Sequence, residues 1–192
     1  MTTRTRKERE RADRHQRIID AARELAETQG WEAVTIRKLA DRIEYSQPVL
    51  YSHFSGKTAI VSAVAEQGCA ELAVLLREAR AAAADPAEAL AAVIGAYVDF
   101  AADNAARYDA IFVLKTDLRF GPEAPEALQA AFDEIRQAYA PFAGPYDVET
   151  GTEVAWSAVH GLVTLDRSGR LRPDLRDERM KVLLAQLTSG RD

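Results

Sequence analysis

The sequence predicts an all-α protein: a small three-helix domain that carries a helix-turn-helix, followed by a larger helical domain, about nine helices in all. Three observations predict it. Alanine is abundant while the 192 residues hold only 10 Gly and 7 Pro, a mixture that favours helix. Apolar residues recur at spacings of three and four in one segment after another, and no stretch alternates as a half-buried strand does. The stretch from Thr35 to Lys57, TIRKLADRIEYSQPVLYSHFSGK, holds two short helix patterns about three residues apart, neither able to form a core alone, which is the sequence form of a helix-turn-helix.

Charge is unevenly placed. The net charge of −5, taken alone, argues against a nucleic-acid partner. Residues 1–57, however, hold twelve Lys and Arg against nine Asp and Glu, and the remainder holds thirteen against twenty-one. A basic end on an acidic body is expected where only that end meets phosphate. The single Cys69 allows no intrachain disulfide, and with three scattered histidines it makes no zinc cluster, so no metal or cofactor is expected. No apolar run of about eighteen residues occurs and the N-terminus has no apolar leader, so the expectation is no membrane span and a cytoplasmic location.

Taken in order, residues 1–12 show no apolar period and are expected as a flexible basic arm. From about Asp13 to Gln29, residues Ile18, Ala21, Ala22, Leu25 and Ala26 share a helix face. Gly30 suits the end of that helix because it takes a left-handed conformation without a Cβ penalty. Thr35 is the expected N-cap of a second helix, with Ile36, Leu39, Ala40 and Ile43 on its inner side. Glu44, Tyr45 and Ser46 form the turn. A very short third helix follows from Gln47 to His53, with Pro48 in its first turn, where no helical hydrogen bond is lost. Residues 13–56 thus make the expected helix-turn-helix domain.

A fourth helix, from about Lys57 to Ala83, is long enough to join two domains. Its apolar stripe is broken at Gly68 and Glu71, where it is expected to pass from one core to the other. Asp85-Pro86-Ala87-Glu88 carries a cap, a first-position proline and a capping-box acid, and starts a fifth helix that runs to about Asp103. A sixth helix (about 105–115), a loop, a seventh (about 126–140), an eighth (about 148–166) and a ninth (about 174–188) complete residues 57–192, the expected ligand-binding and dimerisation domain. The eighth is apolar on so many sides that cover nearly all round is expected.

The third helix carries the chemistry. Leu50 is spaced to pack on the second helix, which leaves Gln47, Val49, Tyr51, Ser52 and His53 facing outward as a polar, partly aromatic surface the size of one major-groove contact. Gln47 has the donor and acceptor that fit an adenine edge. Ser46 is placed to cap the exposed amides. Tyr51 and His53 can reach phosphates, as can Arg37 and Lys38 from the second helix and Lys57 at the start of the fourth, where helix-end amides add to its charge. A helical subdomain without DNA contacts has the same spacing, and the residues decide between the two.

The runs Thr35-Ile-Arg-Lys-Leu-Ala and Gln47-Pro-Val-Leu-Tyr-Ser-His-Phe, with Lys57, resemble the DNA-binding domain of TetR-family transcriptional regulators, and within it the tetracycline-repressor branch. The Ala21-Ala22 pair and Gly30-Trp31 fit that family's first helix. The run from Trp156 through His160-Gly161 to Val163 is similar to the C-terminal domain of many members. The resemblance is specific over about residues 14–64 and architectural beyond. It departs at Glu44, where the family has glycine; a positive φ there costs about 1 kcal/mol for any other residue.

The resemblance implies a homodimer that binds a palindromic DNA operator and releases it when a small-molecule effector binds the larger domain; a repressor is the first reading, and an activator is the other, since the sign depends on where the operator lies. Pairing extends the short readout across adjacent major-groove faces. The dimer surface is expected from the eighth and ninth helices, at Trp156, Val159, Leu162, Val163, Met180, Leu183, Leu184 and Leu187. The candidate effector pocket is aromatic: Tyr97, Phe100, Tyr108, Phe112, Phe120, Phe132, Tyr139 and Trp156, with His160. An aromatic stripe at helical spacing is more often ordinary core than a ligand site, while helix-bundle interiors do host small-molecule sites. Nothing matches a magnesium–tetracycline site, so that ligand is not carried over. No nucleophile elbow, phosphate loop or paired-carboxylate cleft occurs, so no enzyme is expected. The competing reading is a helical interaction module, or a ligand-binding dimer, without specific DNA binding.

Overall fold

Helix is the only regular structure among residues 3–189, which the computed structural model describes. The helices are α1 (Thr3–Gln29), α2 (Ile36–Arg42), α3 (Gln47–Tyr51), α4 (Lys57–Ala82), α5 (Pro86–Asp103), α6 (Ala105–Phe112), α7 (Glu126–Tyr139), α8 (Val148–Arg167) and α9 (Arg176–Thr188). Single 3-10 turns stand at Trp31–Ala33, Gly121–Glu123 and Ala140–Phe142. Close packing divides the chain into two units. One holds residues up to Gly68 together with Asn104–Pro125; the other holds Cys69–Asp103 and the chain from Glu126 on. The division falls inside α4, beside the Gly68 break in its apolar stripe.

The first unit begins with a correction. From Thr3 on, the expected flexible arm over residues 1–12 is instead the opening of α1, while Met1 and Thr2 lie outside the described residues. Arg, Lys, Glu and Ala are strong helix formers, and Arg6 pairs with Glu10 one turn on at 2.8 Å. Gly30 ends α1 at φ 78°, and its amide N–H donates to the Ala26 carbonyl. Ile18, Ala22, Leu39, Leu50 and Ile60 are fully buried and make the small core. α6 is fastened to α1 in the same unit. The Trp31 indole N–H donates to the Ala106 carbonyl at 2.8 Å, and the Glu27 carboxylate accepts the Ala106 amide at 3.2 Å and pairs with Arg107 at 3.6 Å. A Cβ on Gly68 would lie 3.2 Å from Ile111 Cδ1, so glycine there lets α4 approach α6.

In the second unit, α5 opens as its sequence predicts. Asp85 accepts the Glu88 amide at 2.8 Å, and Glu88 accepts the Ala84 amide at 2.8 Å. Asp147 caps α8 through the amide and hydroxyl of Thr150, and these hydrogen bonds hold its carboxyl below the usual carboxylate range. A Cβ on Gly151 would lie 2.7 Å from the Tyr139 ring, so the ring takes this position because the residue is glycine. α9 starts at Arg176 rather than at the expected Asp174, because Asp174 stands at φ 62°, outside right-handed helix.

α8 is less covered than its composition predicts. Thr152, Ala155, Val159 and Val163 are buried on one side. Val154 and Leu165, on the opposite side, are 65% and 39% exposed. α4 is long and apolar enough in composition to cross a bilayer, but half of its apolar window is buried inside the protein.

Candidate nucleic-acid interface

The candidate reading surface is built from α2 and α3. The Thr35 hydroxyl accepts the Lys38 amide at 3.2 Å and caps α2 as expected. At the other end Glu44 takes φ 57°, and the Tyr45 amide donates back to the Ala40 carbonyl at 3.0 Å. That is the left-handed C-terminal closure in which glycine is the usual residue. Glu44 therefore carries a strain of about 1 kcal/mol. The turn forms all the same, and α3 starts at the next residues.

α3 is held by one side chain. Leu50 is fully buried, and Gln47, Pro48, Tyr51 and Ser52 face solvent around it, with Val49 half-buried. Tyr51 is 56% exposed and so open to a partner. Ser46 has N-cap backbone geometry, but its hydroxyl makes no capping bond, against expectation; the α3 amides near it are left to other acceptors. The Ser52 hydroxyl donates to the Val49 carbonyl at 2.7 Å, which commits its proton and leaves its lone pairs facing out. Arg37 and Lys38 are exposed on α2, where Arg37 is only weakly engaged by Asp41 at 4.0 Å. Lys57 is differently placed: its ammonium donates to the Trp31 carbonyl, tying α4 to the end of α1.

His53 closes the surface on the α1 side. The His15 ring lies 5.8 Å from it and stacks on Phe54 at 4.4 Å. Burial, and next the charges of His15, Arg11 and Arg14, hold the His53 imidazole below the ordinary histidine value. The helical start of α1 thus brings Arg11 and Arg14 beside the reading helix. Sequence reasoning singled out neither His15 nor these two arginines; their spacing of three and four from Arg11 to His15 was the available signal, and the boundary expected near Asp13 put Arg11 in the arm and the other two in the helix.

The comparisons with known proteins agree with this geometry. The family "Bacterial regulatory proteins, tetR family" matches residues 18–64, and "Tetracyclin repressor-like, C-terminal domain" matches residues 90–187. The chain belongs to the TetR family. It is 32% identical over 102 residues to the HTH-type transcriptional activator FasR of Mycolicibacterium smegmatis, covering 53% of this chain and 47% of that protein. It is 44% identical over 54 residues to the class A tetracycline repressor of Escherichia coli, covering 28% and 25%. The chain thus matches about half or less of the length of these curated relatives. Among solved structures, a protein of unknown function from Rhodococcus sp. RHA1 superposes with TM-score 0.75 at 25% identity, over 92% of this chain and 94% of that one. The family of bacterial regulatory proteins is matched over the stretch that holds the helix-turn-helix.

The residues expected at the effector site of this TetR-family protein fall into two groups. Tyr97, Phe100, Phe132, Tyr139, Trp156 and His160 belong to the second unit, and Tyr108, Phe112 and Phe120 to the first. Phe120 is 52% exposed and contributes to no interior. Tyr97, Trp156 and His160 do come together: the Tyr97 hydroxyl lies 2.8 Å from His160 Nδ1 and accepts from Trp156 Nε1 at 3.3 Å. Burial holds His160 below the ordinary histidine value. A cavity of about 60 Å³ in the second unit is lined instead by residues of α5, α8 and α9, among them Val98, Leu162, Arg167 and Met180, far below the several hundred Å³ of a drug-sized site.

The expected dimer residues divide likewise. Val159, Val163 and Leu183 are buried within the single chain. Trp156, Leu162, Met180, Leu184 and Leu187 are half-buried. The open strip of α8 runs instead through Val154, Ala158, Gly161 and Leu165, at spacings of four, three and four. Apart from its own stretch of helix, a Cβ on Gly161 would meet no described atom within 4 Å.

Proposed function

We propose that this protein is a cytoplasmic repressor that binds a palindromic operator as a homodimer and releases it when a small molecule binds the second unit. One observation carries the reading: Gln47, Pro48 and Tyr51 project into solvent from a helix that a fully buried Leu50 anchors. Such a surface reads only a few base pairs, so two copies related by a two-fold axis are needed for a specific site. The strip Val154, Ala158, Gly161 and Leu165 supports the pairing, since a small-residue centre with apolar ends admits close approach of a second α8.

The effector reading rests on the Tyr97–His160–Trp156 cluster, a polar handle inside an aromatic interior. It suits an apolar molecule with one hydrogen-bonding group. Tyr97 and Phe100 are each 2% exposed, so entry requires these rings to move. α4 has residues in both units, and displacement of its second half is the route by which binding alters the reading head. DNA affinity then falls by as much as the effector prefers the released state.

The test is capture of genomic fragments by the purified protein, followed by deletion of its gene. A two-fold symmetric footprint and raised expression beside it are expected. FasR is named an activator and the class A tetracycline protein a repressor. Expression that falls on deletion would therefore assign activation to this chain.

A further inference from the structure

Tyr45 is the junction of three helices. Its amide closes α2 by donating to the Ala40 carbonyl at 3.0 Å. The next residue, Ser46, is the N-cap of α3. The Tyr45 side chain is held by α1, where Arg17 Nη1 donates to the Tyr45 hydroxyl at 3.0 Å and the guanidinium carbon stands 5.2 Å from the ring centroid. That places the cation over the ring within the range in which the two attract.

We propose that Arg17 and Tyr45 are a positioning pair that fixes the direction of the reading helix. The inference rests on the DNA-reading role of α3. α3 has five residues and one buried side chain, Leu50. Leu50 and, just past the helix, the buried Phe54 hold its C-terminal half, and a fixed point at its entry removes the freedom left at the other end. The backbone does not supply that point cheaply, because Glu44 holds the left-handed turn position where a side chain is strained. The Ser46 hydroxyl does not supply it either, since it makes no capping bond. The contact from Arg17 reaches the residue between these two. A second tie between the same elements, Arg42 to Glu24 at 2.9 Å, holds α2 to α1 but touches neither the turn nor α3.

A competing role is open to Arg17, since it is exposed and cationic: direct contact with phosphate. The two roles give different results. Phosphate contacts strengthen binding to every sequence and steepen its salt dependence, whereas aim matters only for base readout.

The experiment uses the full chain, a duplex selected by the wild-type protein from a random-sequence library, and a scrambled duplex of equal length. Arg17→Ala and Tyr45→Phe are each expected to weaken the selected duplex about five- to tenfold while leaving the scrambled one and the salt slope unchanged. The double variant should be no weaker than the weaker single one, because both remove one interaction. Without DNA, amide exchange at Tyr45 and Val49 should quicken in both variants. Equal loss on both duplexes with a shallower salt slope, additive effects, or unchanged exchange would each overturn the proposal. A wild-type protein that selects no sequence would instead sink the operator reading, and the exchange measurement would still decide the pair.

Discussion

The carboxylate of Glu134 on α7 meets the guanidinium of Arg80 on α4 at 2.8 Å and that of Arg77 at 3.2 Å, with Glu134 only 6% exposed. A carboxylate so buried is tolerated because both oxygens are engaged by cations. Glu134→Ala takes that carboxylate away from both guanidinium groups at once. A fully buried pair broken in this way costs several kcal/mol; with Arg77 and Arg80 at 56% and 28% exposed, water screens part of that. Urea denaturation of the variant is expected to show a loss of about 1–3 kcal/mol. A change within a few tenths would mean that the arginines rehydrate freely.

Much of the fold was legible because local signals coincided with it. Thr35, Gly30 and the Asp85–Glu88 box set helix ends through hydrogen bonds between near neighbours, and residue type at fixed spacing encodes these. Leu50 could be picked out as the anchor by helical period alone. What stayed hidden depends on partners distant in sequence. Glu134 gives no apolar signal, and its arginines lie on another helix 54 and 57 residues away. The tie from Lys57 to the Trp31 carbonyl spans 26 residues and leaves no mark in the local pattern. Val159 and Val154 look alike in sequence, and only packing separates the buried side of α8 from the open one.

Glu44→Gly should stabilise the reading head. The native φ of 57° is costly for a side chain and free for glycine. Part of that gain is offset by glycine's greater freedom in the unfolded chain. A rise of about 0.5–1 kcal/mol is expected in chemical denaturation, as a shift in midpoint with unchanged slope. A loss of stability would show that the Glu44 side chain makes a compensating contact.

Gln47→Ala and Tyr51→Ala test the assigned reading helix. Each removes an exposed group without touching the buried Leu50, so the fold should persist. Specific binding is expected to weaken by about 1–3 kcal/mol for each good base interaction removed, with smaller change on non-specific DNA. Tight, specific binding by the double variant, measured by titration at fixed salt, would move the readout elsewhere.

Stability should fall as the medium becomes mildly acidic. His160 is held below the ordinary histidine value by burial, and His53 by burial and neighbouring positive charge. Unfolded histidines take up protons near pH ~6.5, before the folded ones do. The unfolded state therefore binds more protons in this window, and folding weakens as pH drops below about 6.5 towards the folded values. Denaturation curves between pH ~7.5 and ~5.5 should show this decline, reduced in His160→Gln. A wild-type curve that rises towards acid would reverse the sign assigned to both histidines.

Val154→Glu separates assembly from folding. Val154 is 65% exposed in the single chain, so a carboxylate there costs the subunit little. In a symmetric pairing of α8 strips centred on Ala158 and Gly161, Val154 at one end meets the Leu165 end of the other copy, so the variant buries an unpaired carboxylate against apolar surface at two equivalent places, which opposes association. Light scattering is expected to give twice the chain mass for the wild type and one chain mass for the variant. Thermal midpoints should remain within a few degrees once measured at equal, low concentration, because any dimer adds concentration-dependent stability. Operator binding should then become weaker and lose the half-site spacing dependence that a two-fold dimer imposes. A variant that stays dimeric would exclude this strip and direct attention to the exposed apolar residue on α9, Val182, at 51% exposure.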